Sequence, residues 1–204
     1  QSATGPTVIR LSDEAETAVS LAQLGKIGKV LAKGASIVTV YEGDDIEHRR
    51  SRTAEILRAV GGTSSGESDA EAWLEGRFDG PYLRDSLLDA GVFCETLETA
   101  TVWSALDGLR DAVTSAIKEG FAAEAGAKSY VMCHISHVYP TGASLYFTIL
   151  AGVRGDQLAI WEKVKARVND AILETGGTIS HHHAVGRDHA PWLAQEIGET
   201  GVRI

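Results

Sequence analysis

The stretch GGTISHHHAVGRDHAPWL, residues 176–193, holds His181, His182, His183 and His189, four of the seven histidines in the chain. Imidazole is the one side chain that ordinarily changes charge near neutral pH, so such a cluster can ligate a metal, move protons or simply pack. Metal ligation fits the spacing poorly. His134 and His137 lie three apart on an expected strand, where side chains alternate between faces, and in an extended triple only His181 and His183 share a face. No cysteine or carboxylate stands beside them at a familiar ligand spacing, so no metal is expected. Clustered imidazoles repel one another once protonated, which favours neutral rings able to take up a proton. Gly176 and Gly177 permit close backbone approach. Gly186 allows a tight turn into a helix whose N-terminus, with Arg187 beside it, would receive an anionic group. On these residues alone, a structural loop and a catalytic or cofactor-contacting loop both stay open.

Two more residues bear on chemistry. Tyr146, in SLYFTIL, reads either as a core aromatic or as a phenol presented from a strand. Arg84, in GPYLRDSLLDAG, must satisfy its charge internally with Asp85 or on a ligand carboxylate or phosphate, to which its planar fork is suited.

The elements that would carry these residues follow from hydrophobic period. PTVIRL reads as a short strand, with Ser12 or Asp13 capping a helix through EAETAVSLAQL. A stretch punctuated by Gly and Lys, GKIGKVLAKG, comes next. ASIVTVYEGD alternates as a half-buried strand does, and the following helix carries Ile46, Ile56, Leu57 and Val60 on one stripe before a Gly stop. The run HRRSR at 48–52 reads as the solvated face of that helix. One or two short helices are expected across the polar stretch that starts at GTSSGESDAEAWLEG. VFCETLETAT is a strand, and the helix after it places Trp103, Leu106, Leu109, Val113 and Ile117 along one face. KSYVMCHISHVY and ASLYFTILAGV flank the turn signal PTG as a hairpin, and a long amphipathic helix then ends at Gly176 and Gly177. Strands alternating with single helices, with one hairpin among them, predict an α+β fold: an antiparallel sheet flanked by helices, of the duplicated ferredoxin-like kind.

Composition bounds the function. The chain has 204 residues, 44% of them apolar, enough to bury a sizeable core. A formal charge of -9 with scattered basic residues argues against nucleic acid as a partner, because phosphate-backbone affinity needs clustered Lys and Arg. Cys94 and Cys133 sit in separate strand-like runs and read as buried free thiols in a reducing, cytoplasmic compartment. No run approaches the ~18 apolar residues that would suggest a membrane span.

Several of these stretches together resemble one family, the FAD-linked oxidases and transferases of the vanillyl-alcohol-oxidase type, and within it the alkylglycerone-phosphate synthases. GGTISHHHAVGRDHAPWL resembles that family's Gly-Gly-x-(Ile/Leu)-Ser-His-His-His-Gly-Val-Gly loop. PTVIRLSDEAET, YEGD, GPYLRDSLLDAG, ETLETATVWS and HVYPTGASLYFT support it in the expected order, over essentially the whole chain. The resemblance implies that residues 1–204 are a cap, or substrate-binding, domain whose flavin-binding domain and closing tail lie elsewhere. It implies FAD in the intact enzyme and no tight FAD binding, or activity, in this chain alone. By the same resemblance Arg84 binds the substrate phosphate, Tyr146 is the active-site tyrosine, and His181, His182 and His183 face flavin and substrate, with His182, His183 and Gly186 touching the cofactor. Arg84, Tyr146 and the histidines should then converge on one side of the sheet.

The implied reaction exchanges the acyl group of a lipid-like substrate for a fatty alcohol, forming an ether-lipid precursor with no net redox change. An FAD-dependent 2-hydroxy-acid dehydrogenase is the alternative, and a ferredoxin-like binding module without chemistry is a third. The partners implied are a small-molecule or lipid substrate, the flavin domain and, through the face that would meet that domain, a second copy in a homodimer. Two residues depart from the family pattern. Ala184 stands where Gly is usual, and would cost roughly 1 kcal/mol if the backbone there needs a positive φ. His134 stands where the eukaryotic ether-lipid enzymes carry an arginine.

Overall fold

The computed structural model describes residues 5–23 and 34–204; GKIGKVLAKG lies outside them apart from its last glycine. The chain forms two compact units, Gln1–Leu83 and Arg84–Ile204.

In the first unit, strands β1 (Val8–Ser12) and β2 (Ser36–Val40) pair antiparallel, from Val8 opposite Val40 to Ser12 opposite Ser36. Helix α1 (Glu14–Gln23) follows β1 directly, and the Asp13 carboxylate accepts the Glu16 N–H at 2.8 Å, so Asp13 is the cap. Helix α2 (Ile46–Ala59) ends as its Gly stop predicts: Gly61 takes a φ of 88°, and the N–H groups of Gly61 and Gly62 close on Arg58 and Leu57. Arg50 pairs with Glu67 and Arg52 with Glu55, the solvated charged face expected of HRRSR. The apolar stripe on α2 behaves otherwise. No residue of α2 is buried, and Val60 is 80% exposed. Periodicity shows that a stripe exists; it does not supply a covering surface. Helix α3 (Ser68–Gly76) completes this unit with the start of α4 (Gly80–Asp89), which runs on into the second.

The second unit contains every histidine except His48. Strand β3 (Phe93–Val102) leads through a 3-10 turn (Trp103–Ala105) to helix α5 (Leu106–Ala125), then to the hairpin β4 (Ser129–Ile135) and β5 (Gly142–Ala151), helix α6 (Gln157–Glu174) and helix α7 (Gly186–Arg203). The strand order is β4-β5-β3, all antiparallel. On the free edge of β3, Thr178 forms a single antiparallel bridge with Ala100. This is the ferredoxin-like β-α-β-β-α-β order with its fourth strand reduced to one residue pair. Leu109, Val113, Ile117 and Phe121 of α5 and Val164, Val168 and Ile172 of α6 are buried in one core with the sheet. Cys94 and Cys133 are both buried and free, as their apolar setting implies.

Register decides what faces that core. Leu97, Phe147 and Cys133 lie abreast across the three strands and belong to the core cluster. The next row, Glu98, Tyr146 and His134, therefore points to the other face, because strand side chains alternate with period two. A slip of one residue would send a carboxylate, a phenol and an imidazole into the core. Among the described residues no helix is long and apolar enough to cross a membrane.

Candidate active site

The histidine loop is pinned at its base. After α6 the chain turns at Gly176 (φ 75°), and Gly177 passes so close to β3 and α5 that a Cβ there would meet Leu109 Cδ1 at 2.9 Å and Thr99 Oγ1 at 3.0 Å. Thr99 and Thr101 donate their hydroxyls to the carbonyls of Thr178 and Gly176 at 2.6 and 3.0 Å. From α7, the Glu196 carboxylate accepts the Thr178 hydroxyl and the Ile179 N–H. The paired glycines thus serve a turn and a close approach, and the three histidines leave a fixed point.

Their far anchor is Glu98. Its side chain, 1% exposed, receives four nitrogen contacts from the loop. The N–H groups of His181 and His182 donate to Oε2 at 3.2 and 3.3 Å, while both Nδ1 atoms lie against Oε1, at 2.7 and 2.9 Å. Burying a carboxylate without donors costs several kcal/mol, so the loop and Glu98 hold each other in place.

Around this pair the rings assemble. His183 meets Tyr146 edge to face at 5.7 Å, and Tyr146 stacks on His134 at 4.8 Å. His137 lies 4.8 Å from the His182 ring and 5.4 Å from that of His181. The hydroxyl of Tyr139 lies 3.0 Å from His181 Nε2, and the Trp103 indole N–H donates to the Tyr139 carbonyl. His182 keeps 44% of its side chain exposed, so the cluster is open on one side. Imidazoles beside a phenol, on a surface held by buried groups, are placed to accept and return protons.

Tyr146, His181, His182 and His183 therefore come together as anticipated, and Gly186 (φ 55°) begins α7 at the end of the same loop. Arg84 does not join them. Its guanidinium donates to Glu95 at 2.6 Å, with Asp85 farther away at 3.8 Å, and this pairing raises its pKa above the ordinary arginine value. Glu95 lies abreast of core residues Ile149 and Val131, on the face of β3 opposite Glu98. Adjacency in sequence favoured Asp85, whereas packing of α4 near β3 supplies Glu95.

The alternation argument about His134 and His137 also fails, because β4 stops at Ile135 and His137 is free to turn toward the triple. A carboxylate stands by the histidines after all: Glu98, His182 and His183 bring ligand atoms within 4.8 Å of one another, a grouping that could hold a metal ion. Glu98 and Tyr139 were missed because they are 83 and 42 residues from His181. The sole local hint was an alternation in ETLETATV that puts Glu98 out of step with Leu97.

Two histidines have lowered pKa values. Burial comes first for both, reinforced by His182 and His181 around His137 and by Lys165 near His189, whose buried Nδ1 has no hydrogen-bond partner. Each titrates below 6.5 in the folded chain and near 6.5 when unfolded. The unfolded state therefore binds more protons in that window, and stability is full above pH 6.5 and falls as pH drops below it. Denaturant titrations from pH 7.5 to 5 should show this decline, and His189→Gln should flatten part of it; an unchanged slope would refute the assignment. Ala184 adopts a φ of 69°, so the left-handed geometry that a glycine would take without strain is met here by an alanine. Ala184→Gly should stabilise the fold by about 0.5–1 kcal/mol in the same titrations, and a destabilised variant would contradict that geometry.

Comparison with known proteins agrees with this architecture. A family model described as FAD linked oxidases, C-terminal domain, matches residues 1–204. The alkyldihydroxyacetonephosphate synthase of Trypanosoma brucei brucei is 30% identical over 97% of this chain and 36% of its own length. That of Dictyostelium discoideum is 30% identical over 93% of this chain and 34% of its own. This chain thus spans about a third of those relatives. A solved alkyldihydroxyacetonephosphate synthase superimposes on 86% of the chain with a TM-score of 0.66 at 25% identity, covering 35% of the solved chain. Sequence, sheet order and histidine loop lead to one assignment: the chain belongs to the family of FAD linked oxidase C-terminal domains.

Proposed function

We propose that this chain is the substrate-binding and catalytic cap of an FAD-dependent enzyme of the alkylglycerone-phosphate-synthase type. The reaction would replace the acyl group of an acylglycerone phosphate with a fatty alcohol, giving an ether and releasing a fatty acid. The observation that carries this reading is the gathering of Tyr146 with His181, His182 and His183 on one open surface. The names of the relatives support the substrate class.

The residues present suit a flavin. Half-exposed imidazoles at His182 and His183 offer ring edges and nitrogen atoms to a planar, hydrogen-bonding heterocycle, and Gly186 lets the backbone turn close beside them. When bound, FAD supplies the redox-active isoalloxazine ring. The protein's own task is to bind and to move protons. Exchanging an acyloxy for an alkoxy group requires a proton to leave the incoming alcohol and one to be managed at the reacting carbon, roles suited to the Tyr146 hydroxyl with the His182 and His183 imidazoles. The resemblance alone offers Arg84 as the phosphate ligand: its side chain is 41% exposed, but it pairs with Glu95 on the face of β3 opposite Glu98, so that role would require it to leave Glu95.

The test uses the full-length flavoprotein that carries this domain, given acylglycerone phosphate and a long-chain alcohol without oxygen, with product read by mass spectrometry. An ether product is expected. Tyr146→Phe and His182→Ala should each lower kcat by about 10²–10⁴-fold, and Arg84→Ala should raise KM for the phosphorylated substrate with less effect on kcat. An unchanged KM would remove Arg84 from the phosphate site. Absence of ether, with flavin bleaching by a 2-hydroxy acid, would replace the transferase reading with a dehydrogenase.

A further inference from the structure

We infer that Glu98 is the positioning residue of the histidine loop, setting His181 and His182 as Nδ1–H tautomers and leaving His182 Nε2 as the open proton-accepting nitrogen. The inference rests on the reading that these histidines act on a substrate, and adds which atom acts and what fixes it.

A carboxylate can only accept hydrogen bonds, and the Nδ1 atoms of both rings lie against the same oxygen, Glu98 Oε1, at 2.7 and 2.9 Å. Each Nδ1 must therefore carry its hydrogen. In its neutral form an imidazole has one N–H, so a ring that donates from Nδ1 to Glu98 presents Nε2 as an acceptor. The one on His181 is occupied, since Tyr139 Oη lies 3.0 Å away and can donate to it. The one on His182 is not committed in this way, and 44% of that side chain is exposed.

The 3.2 Å approach between the two Nδ1 atoms is then no hydrogen bond. It is the consequence of two donors converging on one oxygen. The backbone contributes to the same end, because the His181 and His182 N–H groups on Oε2 fix the carboxylate plane, and with it the direction from which each ring can donate. No hydrogen bond joins His183 to Glu98, and its ring packs on Tyr146, so its tautomer is not set by this device. Glu98 reaches the loop from the buried middle of β3 and lies abreast of Tyr146. Phenol and fixed imidazole are thereby referenced to one row of the sheet. An orienting carboxylate behind a working imidazole commonly acts in this way, by tautomer and aim.

The direct test is the tautomeric state of each histidine, read from long-range ¹H–¹⁵N correlations on the 204-residue chain near pH 7.5. The expected pattern is Nδ1–H for both His181 and His182. Glu98→Gln presents an amide that can donate as well as accept, and should move at least one of these rings to Nε2–H, while Tyr139→Phe should leave His182 as Nδ1–H. In the full-length flavoprotein, Glu98→Gln should lower kcat by about 10²–10⁴-fold with KM changed less than about threefold.

An Nε2–H pattern at His182 in the unaltered chain would overturn the inference, as would a Glu98→Gln variant retaining both Nδ1–H signals. If that variant does not fold, the pattern of the unaltered chain still decides. Because the spectra involve no turnover, the expected pattern together with absent ether synthesis would refute the proposed reaction and leave the role of Glu98 standing.

Discussion

A carboxylate buried to 1% exposure is the constraint on which the site depends. Glu98 sits on a strand whose other face is core, and a charge in that place is tolerable only if donors surround it. The loop provides four, two from its backbone and two from imidazoles. A segment that would otherwise be an exposed turn between two helices is thereby given a defined shape, and the triple histidine becomes a set of oriented groups. Breaking one side leaves the other with its polar atoms unpaired, which is why loop and strand must be considered together.

The fold makes that encounter possible through an incomplete strand. In a full ferredoxin-like unit the fourth strand would continue along the edge of β3. Here it lasts for one bridge, Thr178 with Ala100, and the hydroxyls of Thr99 and Thr101 replace part of the missing ladder. Released from the sheet so early, the chain can fold over the end of β3 toward Glu98. The Ala184 backbone accepts left-handed geometry on the way back to α7. Strain there and the charge at Glu98 are the two local costs of the loop, and the core under the other face of the sheet offsets them.

Much of this was legible in sequence. The alternation and helical stripes of the second unit, the hairpin at PTG, the two glycines and the resemblance around the triple histidine all depend on residues near one another in the chain. The family's glycine at the place of Ala184 raised the question of a positive φ there, which the backbone answers. What escaped were contacts made by sheet assembly. Glu98 and Tyr139 reach the histidines only when β3 and the hairpin end are in place, and His137 joins because β4 stops two residues earlier, a boundary that periodicity does not resolve. Arg84 shows the opposite failure: a conspicuous arginine invited a partner next to it, while the nearest carboxylate is Glu95, eleven residues on. On α2, a helical stripe with no buried residue marks the limit of reading burial from period alone.

A crystal structure of the full-length flavoprotein bound to an unreactive alkyl glycerol phosphate would show directly whether the histidine cluster is where substrate reacts. The ligand's reacting end should lie within hydrogen-bond reach of Tyr146 and His182, with Glu98 still holding His181 and His182 from behind. A metal ion bridging Glu98, His182 and His183, with the ligand elsewhere, would contradict it.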